Sequence, residues 1–138
     1  GMKAKAGRWM PLLFLAMAAC DTEAGRLHNA RNRWRDASIS DYSFRYQTTG
    51  FAAGDDLQIT VVGGAVTDAR QLTGEFPVST DDAPTIETLF DRIDDALDSD
   101  RVDVSVTYDD ALGFPVHAYF DGGEEGDGFA VRDFTRAP

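Results

Sequence analysis

Apolar residues recur along this chain at two spacings, and the change from one to the other marks its elements. From Thr22 to Ala37 the positions Ala24, Leu27, Ala30, Trp34 and Ala37 fall three or four apart, with arginines on the opposite side. That spacing predicts an amphipathic helix. Ile39-Ser40-Asp41 ends it, and Tyr42, Phe44 and Tyr46 then alternate with Ser43, Arg45 and Gln47, the period of a strand buried on one side. Leu57, Ile59 and Val61 repeat the alternation, and Gly63-Gly64 supplies a two-residue turn into a third strand, Ala65 to Leu72. The segment from Thr73 to Pro84 is expected to hold little regular structure. Thr85 then caps a second helix carrying Ile86, Leu89, Phe90, Ile93 and Leu97 on one stripe. Three further strands follow, through Val102 to Tyr108, Phe114 to Phe120 and Gly128 to Phe134.

The order helix, three strands, helix, three strands reads as two αβββ units. Short connections make neighbouring strands antiparallel. Two one-sided helices and six one-sided strands satisfy one another if both helices lie on one face of a single curved sheet of about six strands, an α+β domain over residues 23–138. A length of 138 residues leaves no room for a barrel enzyme or a full dinucleotide-binding domain.

The first nineteen residues have another character. Lys3, Lys5 and Arg8 precede the apolar run Trp9 to Met17, which gives way to Ala18-Ala19-Cys20. This is the layout of a secretory signal peptide, and the run is shorter than the roughly 20 apolar residues that cross a bilayer. Small residues directly before a lone cysteine resemble the bacterial lipobox, with Met17 where leucine is usual. Residues 1–19 are therefore expected to be a lipoprotein signal peptide, Cys20 the lipidated residue and 20–22 the tether. As the only cysteine, Cys20 cannot form a disulfide within the chain.

Charge narrows the partners. Residues 1–19 hold three of the 13 basic residues and no acid, so the remainder keeps ten arginines against all 24 acids and the formal charge falls from -11 to -14. A phosphate backbone is a poor partner for such a surface, and no nucleic-acid role is expected.

Several segments together resemble a family of uncharacterised bacterial exported proteins, domain of unknown function 6174. They are Trp34 near the end of the first helix, Tyr42-Ser43-Phe44-Arg45-Tyr46, the helix start from Thr85-Ile86 to Leu89-Phe90, Tyr108-Asp109 with Gly113-Phe114-Pro115, and an acidic turn before Phe129. Members of that family often carry Cys-x-Cys after the first strand, where this chain has Gly50-Phe51-Ala52, so thiol chemistry there does not transfer. The resemblance implies no activity.

Candidate chemistry is sparse. Nucleophilic catalysis needs a base beside a hydroxyl or thiol, and the two histidines, His28 on the first helix and His117 in mid-strand, come without an accompanying motif. No catalytic residue and no cofactor is assigned. The acidic stretch 121–128 offers Asp121, Glu125 and Asp127 as candidate cation ligands. Its spacing fails the EF-hand pattern, because Gly123 falls on a ligand position and Arg132 where a bidentate glutamate is required, which favours a polar hairpin tip. Strand alternation places Arg45, Asp103, Ser105, Thr107, His117, Tyr119, Arg132 and Phe134 on the sheet face away from the helices. Of these, Arg45, His117, Tyr119 and Arg132 form the candidate binding face, since aromatic and arginine side chains suit recognition.

The sequence thus points to an exported, membrane-anchored bacterial envelope lipoprotein held by a lipid on Cys20. Its domain is expected to be a protein-binding or inhibitory module with an envelope protein as partner, without catalysing a reaction. A divalent-cation-binding or sensing role for the tip 121–128 is the second reading, and a small hydrolase the third.

Overall fold

A computed structural model describes residues 22–50, 54–74, 76–123 and 126–137. Helix α1 runs Glu23–Ala37; the Thr22 side chain caps it by accepting from the Gly25 N–H at 2.9 Å, and Ser38 closes it in the left-handed conformation with φ 53°. Its buried stripe is Leu27, Ala30 and Trp34, whereas Ala24 is exposed and Ala37 half-buried. Helix α2 runs Ile86–Leu97 and starts in a reciprocal cap: Thr85 Oγ1 accepts from Thr88 N–H, and Thr88 Oγ1 from Thr85 N–H. Ile86, Leu89, Phe90 and Ile93 are its buried face.

The strands are β1 Tyr42–Gly50, β2 Asp56–Val62, β3 Ala65–Gln71, β4 Phe76–Pro77, β5 Asp103–Tyr108, β6 Pro115–Asp121 and β7 Gly126–Arg136. They form one open, wholly antiparallel sheet in the order β4-β3-β2-β1-β7-β6-β5. Both glycines of the β2–β3 turn have positive φ, 60° and 79°, which the two-residue hairpin requires. Each run of three strands follows a helix. They meet with β1, first of one run, antiparallel to β7, last of the other.

Two sequence expectations need correction. The sheet has seven strands rather than about six. The added β4 and a short 3-10 turn, Thr80–Asp82, lie in the segment expected to hold little structure. A two-residue strand is too short to show a period, and it forms because β3 offers an edge: Val78 N–H donates to the Ala69 carbonyl at 2.9 Å. Second, Phe134 lies on the helix side. Ser43 pairs with Thr135 but Arg45 with Arg132, so β7 carries one extra residue. Asp133 absorbs it with φ 52°, a β-bulge that reverses the alternation beyond it. Phe134 then packs on Phe114, Tyr42 and Trp34, with ring centroids 4.4, 5.4 and 5.7 Å apart.

Those four rings clamp α1 to the sheet, and each buried aromatic of this size contributes roughly 1.5–3 kcal/mol by area. Gly113 makes the close approach: with φ 85°, a Cβ there would run into the Ala30 carbonyl oxygen. Asp109 holds the same turn by accepting from Ala111 and Leu112 N–H at 3.1 and 2.8 Å. Three of the segments that carried the family resemblance, at Trp34, Tyr42 and Asp109 to Phe114, therefore form the frame joining α1 to the sheet.

Candidate functional site: the outer sheet face

Helices cover one face of the sheet; the other is built from the polar half of each strand. Arg45 on β1 and Arg132 on β7 are direct cross-strand partners, and Arg45 is also paired with Gln58 of β2, which faces Arg70 of β3. Three arginines thus stand in one row across four strands. Like charges opposite one another repel, and the structure relieves this at Arg45, whose Nε and Nη2 donate to the two oxygens of Asp56 at 2.7 and 2.8 Å. That bidentate contact, with the Arg45 charge, holds the Asp56 carboxyl below its ordinary range despite some desolvation. Among the described residues no carboxylate lies within ion-pair distance of Arg132.

His117 and Tyr119 stand two residues apart on β6. His117 pairs with Ala130, which puts it diagonally beside Arg132, and Tyr119 pairs with Gly128. The Tyr119 ring lies over Gly126, where any Cβ would collide with its hydroxyl, so the glycine provides the floor on which the ring rests. Tyr119 keeps 39% of its surface exposed. The face therefore brings Arg45, Arg132 and His117 together and sets Tyr119 one step further along; Asp103, Ser105 and Thr107 on β5 share the exposed side.

The acidic tip is divided. Asp121 points to the outer face, where its carboxylate accepts from Gly123 N–H at 3.0 Å, whereas Asp127 points to the helix side and pairs with Arg92 at 3.0 Å. The two carboxylates lie on opposite faces of the sheet. Glu125 and Cys20 lie outside the described residues, and among the described ones no group of three or more His, Cys, Asp or Glu is arranged to hold a metal ion. His28 is exposed on α1, its ring nitrogen 3.2 Å from the Asn32 amide.

Sequence reasoning missed the contacts that tie the helices together. Glu87 accepts from Trp34 Nε1 at 2.8 Å and from the Tyr42 hydroxyl at 3.2 Å, and the Tyr42 oxygen in turn accepts from Ile86 N–H at 3.0 Å. Burial is the main cause pushing the Tyr42 hydroxyl above its ordinary range. Trp34 and Glu87 also line a cleft of about 490 Å³ between the end of α1 and the start of α2, together with Arg31, Arg35 and Phe90. Arg31 crosses to Asp91 and Asp94 of α2, so the acidic side of that helix is partly neutralised. Partners 53 and 60 residues apart leave no local signal in the sequence.

The model of a family of unknown function, DUF6174, matches residues 26–128, from the first turn of α1 into β7. The chain belongs to DUF6174. Nothing among curated proteins or solved structures matches it. The matched span takes in His117 and Tyr119 together with Arg45, while Arg132 falls beyond it. Among the described residues no helix is long and apolar enough to cross a membrane.

Proposed function

We propose that this member of DUF6174 is an exported bacterial lipoprotein, tethered to the membrane through Cys20, whose outer sheet face binds an envelope protein without chemistry of its own. One observation carries the reading: an outer face, uncovered among the described residues, on which the guanidinium of Arg132, with no carboxylate partner among them, stands beside His117, and the ring of Tyr119 is propped on Gly126. Such a face combines an aromatic surface with directional donors, the combination that dominates binding hot spots. The proposed tether would raise the effective concentration of this face at the membrane. The repeated helix-and-three-strand order supplies the scaffold, with both helices on one face so that the other stays free.

The tether is tested in a bacterial host by labelled palmitate. The full chain is expected to take up label and partition into detergent, since two acyl anchors hold where one does not. Cys20→Ser is expected to lose both, and unlabelled soluble wild-type protein would contradict the tether. For the face, Tyr119→Ala with Arg132→Ala is expected to leave the melting temperature nearly unchanged and to weaken binding of a co-purifying envelope protein roughly thirtyfold, the equivalent of about 2 kcal/mol. A drop in melting temperature of several degrees would instead assign the pair to the fold.

A further inference from the structure

We propose that the β5 edge of the sheet is a strand-addition surface for a second copy of this chain, held shut by the side chain of Arg26. The two edges differ. β4 is only two residues long and one of them is Pro77, which has no N–H to offer. β5 has six residues, Asp103 to Tyr108, with neither proline nor lysine, two of the devices that usually blunt an edge, and a single charge at its first residue, Asp103. One side of β5 is bonded to β6, and among the described residues the other meets no strand.

Arg26 covers that open side. Its Nη2 donates to the Val106 carbonyl at 2.9 Å, its Nη1 to Glu23 at 2.8 Å, and its guanidinium stands over the Tyr108 ring at 5.7 Å. Backbone groups of alternate residues point the same way in an antiparallel ladder, so Val104, Val106 and Tyr108 share the free side. The guanidinium therefore occupies the carbonyl that an incoming N–H would need.

The strand is complementary to itself. A two-fold axis through Ser105 pairs Val104 with Val106 of the other copy and Asp103 with Thr107. Within Asp103–Tyr108 no like charges meet in that register. Moving the axis to Asp103 would set this carboxylate against itself, a repulsion that disfavours the shift.

The test uses the full chain with Cys20→Ser, so that an introduced thiol is the only one. In the proposed register Ser105 faces its own copy as a non-hydrogen-bonded pair, with Cα atoms about 4.5 Å apart, inside the range of roughly 4.4–6.8 Å that a disulfide spans. Position 107 would sit about 13 Å from its counterpart. Under mild oxidation, Ser105→Cys is expected to give a disulfide-linked dimer and Thr107→Cys none. Adding Arg26→Ala is expected to raise the yield at 105 several-fold, because the charge-assisted hydrogen bond from Arg26 to the Val106 carbonyl in each copy no longer opposes pairing. Equal yields at 105 and 107, or none at 105 even without Arg26, would overturn the edge. A yield at 105 indifferent to Arg26 would overturn its guarding role.

Discussion

Tyr108 shows how a single residue sets a pH limit on this fold. Its hydroxyl is buried and has no partner among the described residues, and desolvation, with Glu23 adding, pushes it up to about 12 from 10.0 while Arg26 opposes. Between those two values the unfolded chain releases a proton that the folded chain keeps. Stability is therefore fully present below pH 10 and falls as pH rises through that window. Tyr46 and Tyr42, raised by burial as well, act in the same direction. Tyr108→Phe is expected to change neutral-pH stability by no more than about 1 kcal/mol, because the hydroxyl it removes makes no bond. It is also expected to make the loss of stability between pH 10 and about 12 shallower, as read by urea midpoints. An unchanged alkaline slope would show that Tyr108 titrates normally. At the same scale, Asp133 explains why the register of β7 was hidden. A non-glycine residue in the left-handed region gives no advance notice, yet it turns Phe134 from the outer face into the core.

At the scale of elements, legibility followed length and period. Both helices, the Thr85 cap and the two-glycine hairpin were readable because each rests on residues close in sequence. β4 was not, since its two residues depend on the edge of β3. The candidate face was legible as far as alternation held. Arg45, His117, Tyr119 and Arg132 all precede or lie outside the bulge step, and only Phe134 was misplaced. Contacts between elements, such as Glu87 with Trp34 and Arg31 with Asp91, have no sequence period at all. α2 offers the sharpest energetic check. Phe90 is 1% exposed, so Phe90→Ala is expected to cost about 3–5 kcal/mol through cavity formation, whereas Thr85→Ala, losing one cap, is expected to cost about 1 kcal/mol. Denaturant midpoints separate the two. Equal small effects would mean that α2 is not seated as described.

Across the whole molecule, the arginines are placed by contrast with the acid excess. Arg31 neutralises part of the acidic side of α2, Arg92 reaches Asp127 beneath the sheet, and Arg26 caps an edge. What remains on the outer face is the row of Arg70, Arg45 and Arg132, of which, among the described residues, Arg45 alone is matched by a bidentate carboxylate. The helix side, with Asp94, Asp95 and Asp98 exposed, offers an opposite electrostatic surface. A partner that reads charge therefore meets two distinct sides of one domain. The most direct measurement places a photo-reactive side chain at position 119 on the outer face or at position 95 on the helix side, in the producing cell. The expected result is a discrete protein adduct from position 119 that Arg132→Ala abolishes, with none from position 95. Adducts from position 95 alone, or an adduct at 119 indifferent to Arg132, would contradict the outer face as the binding surface.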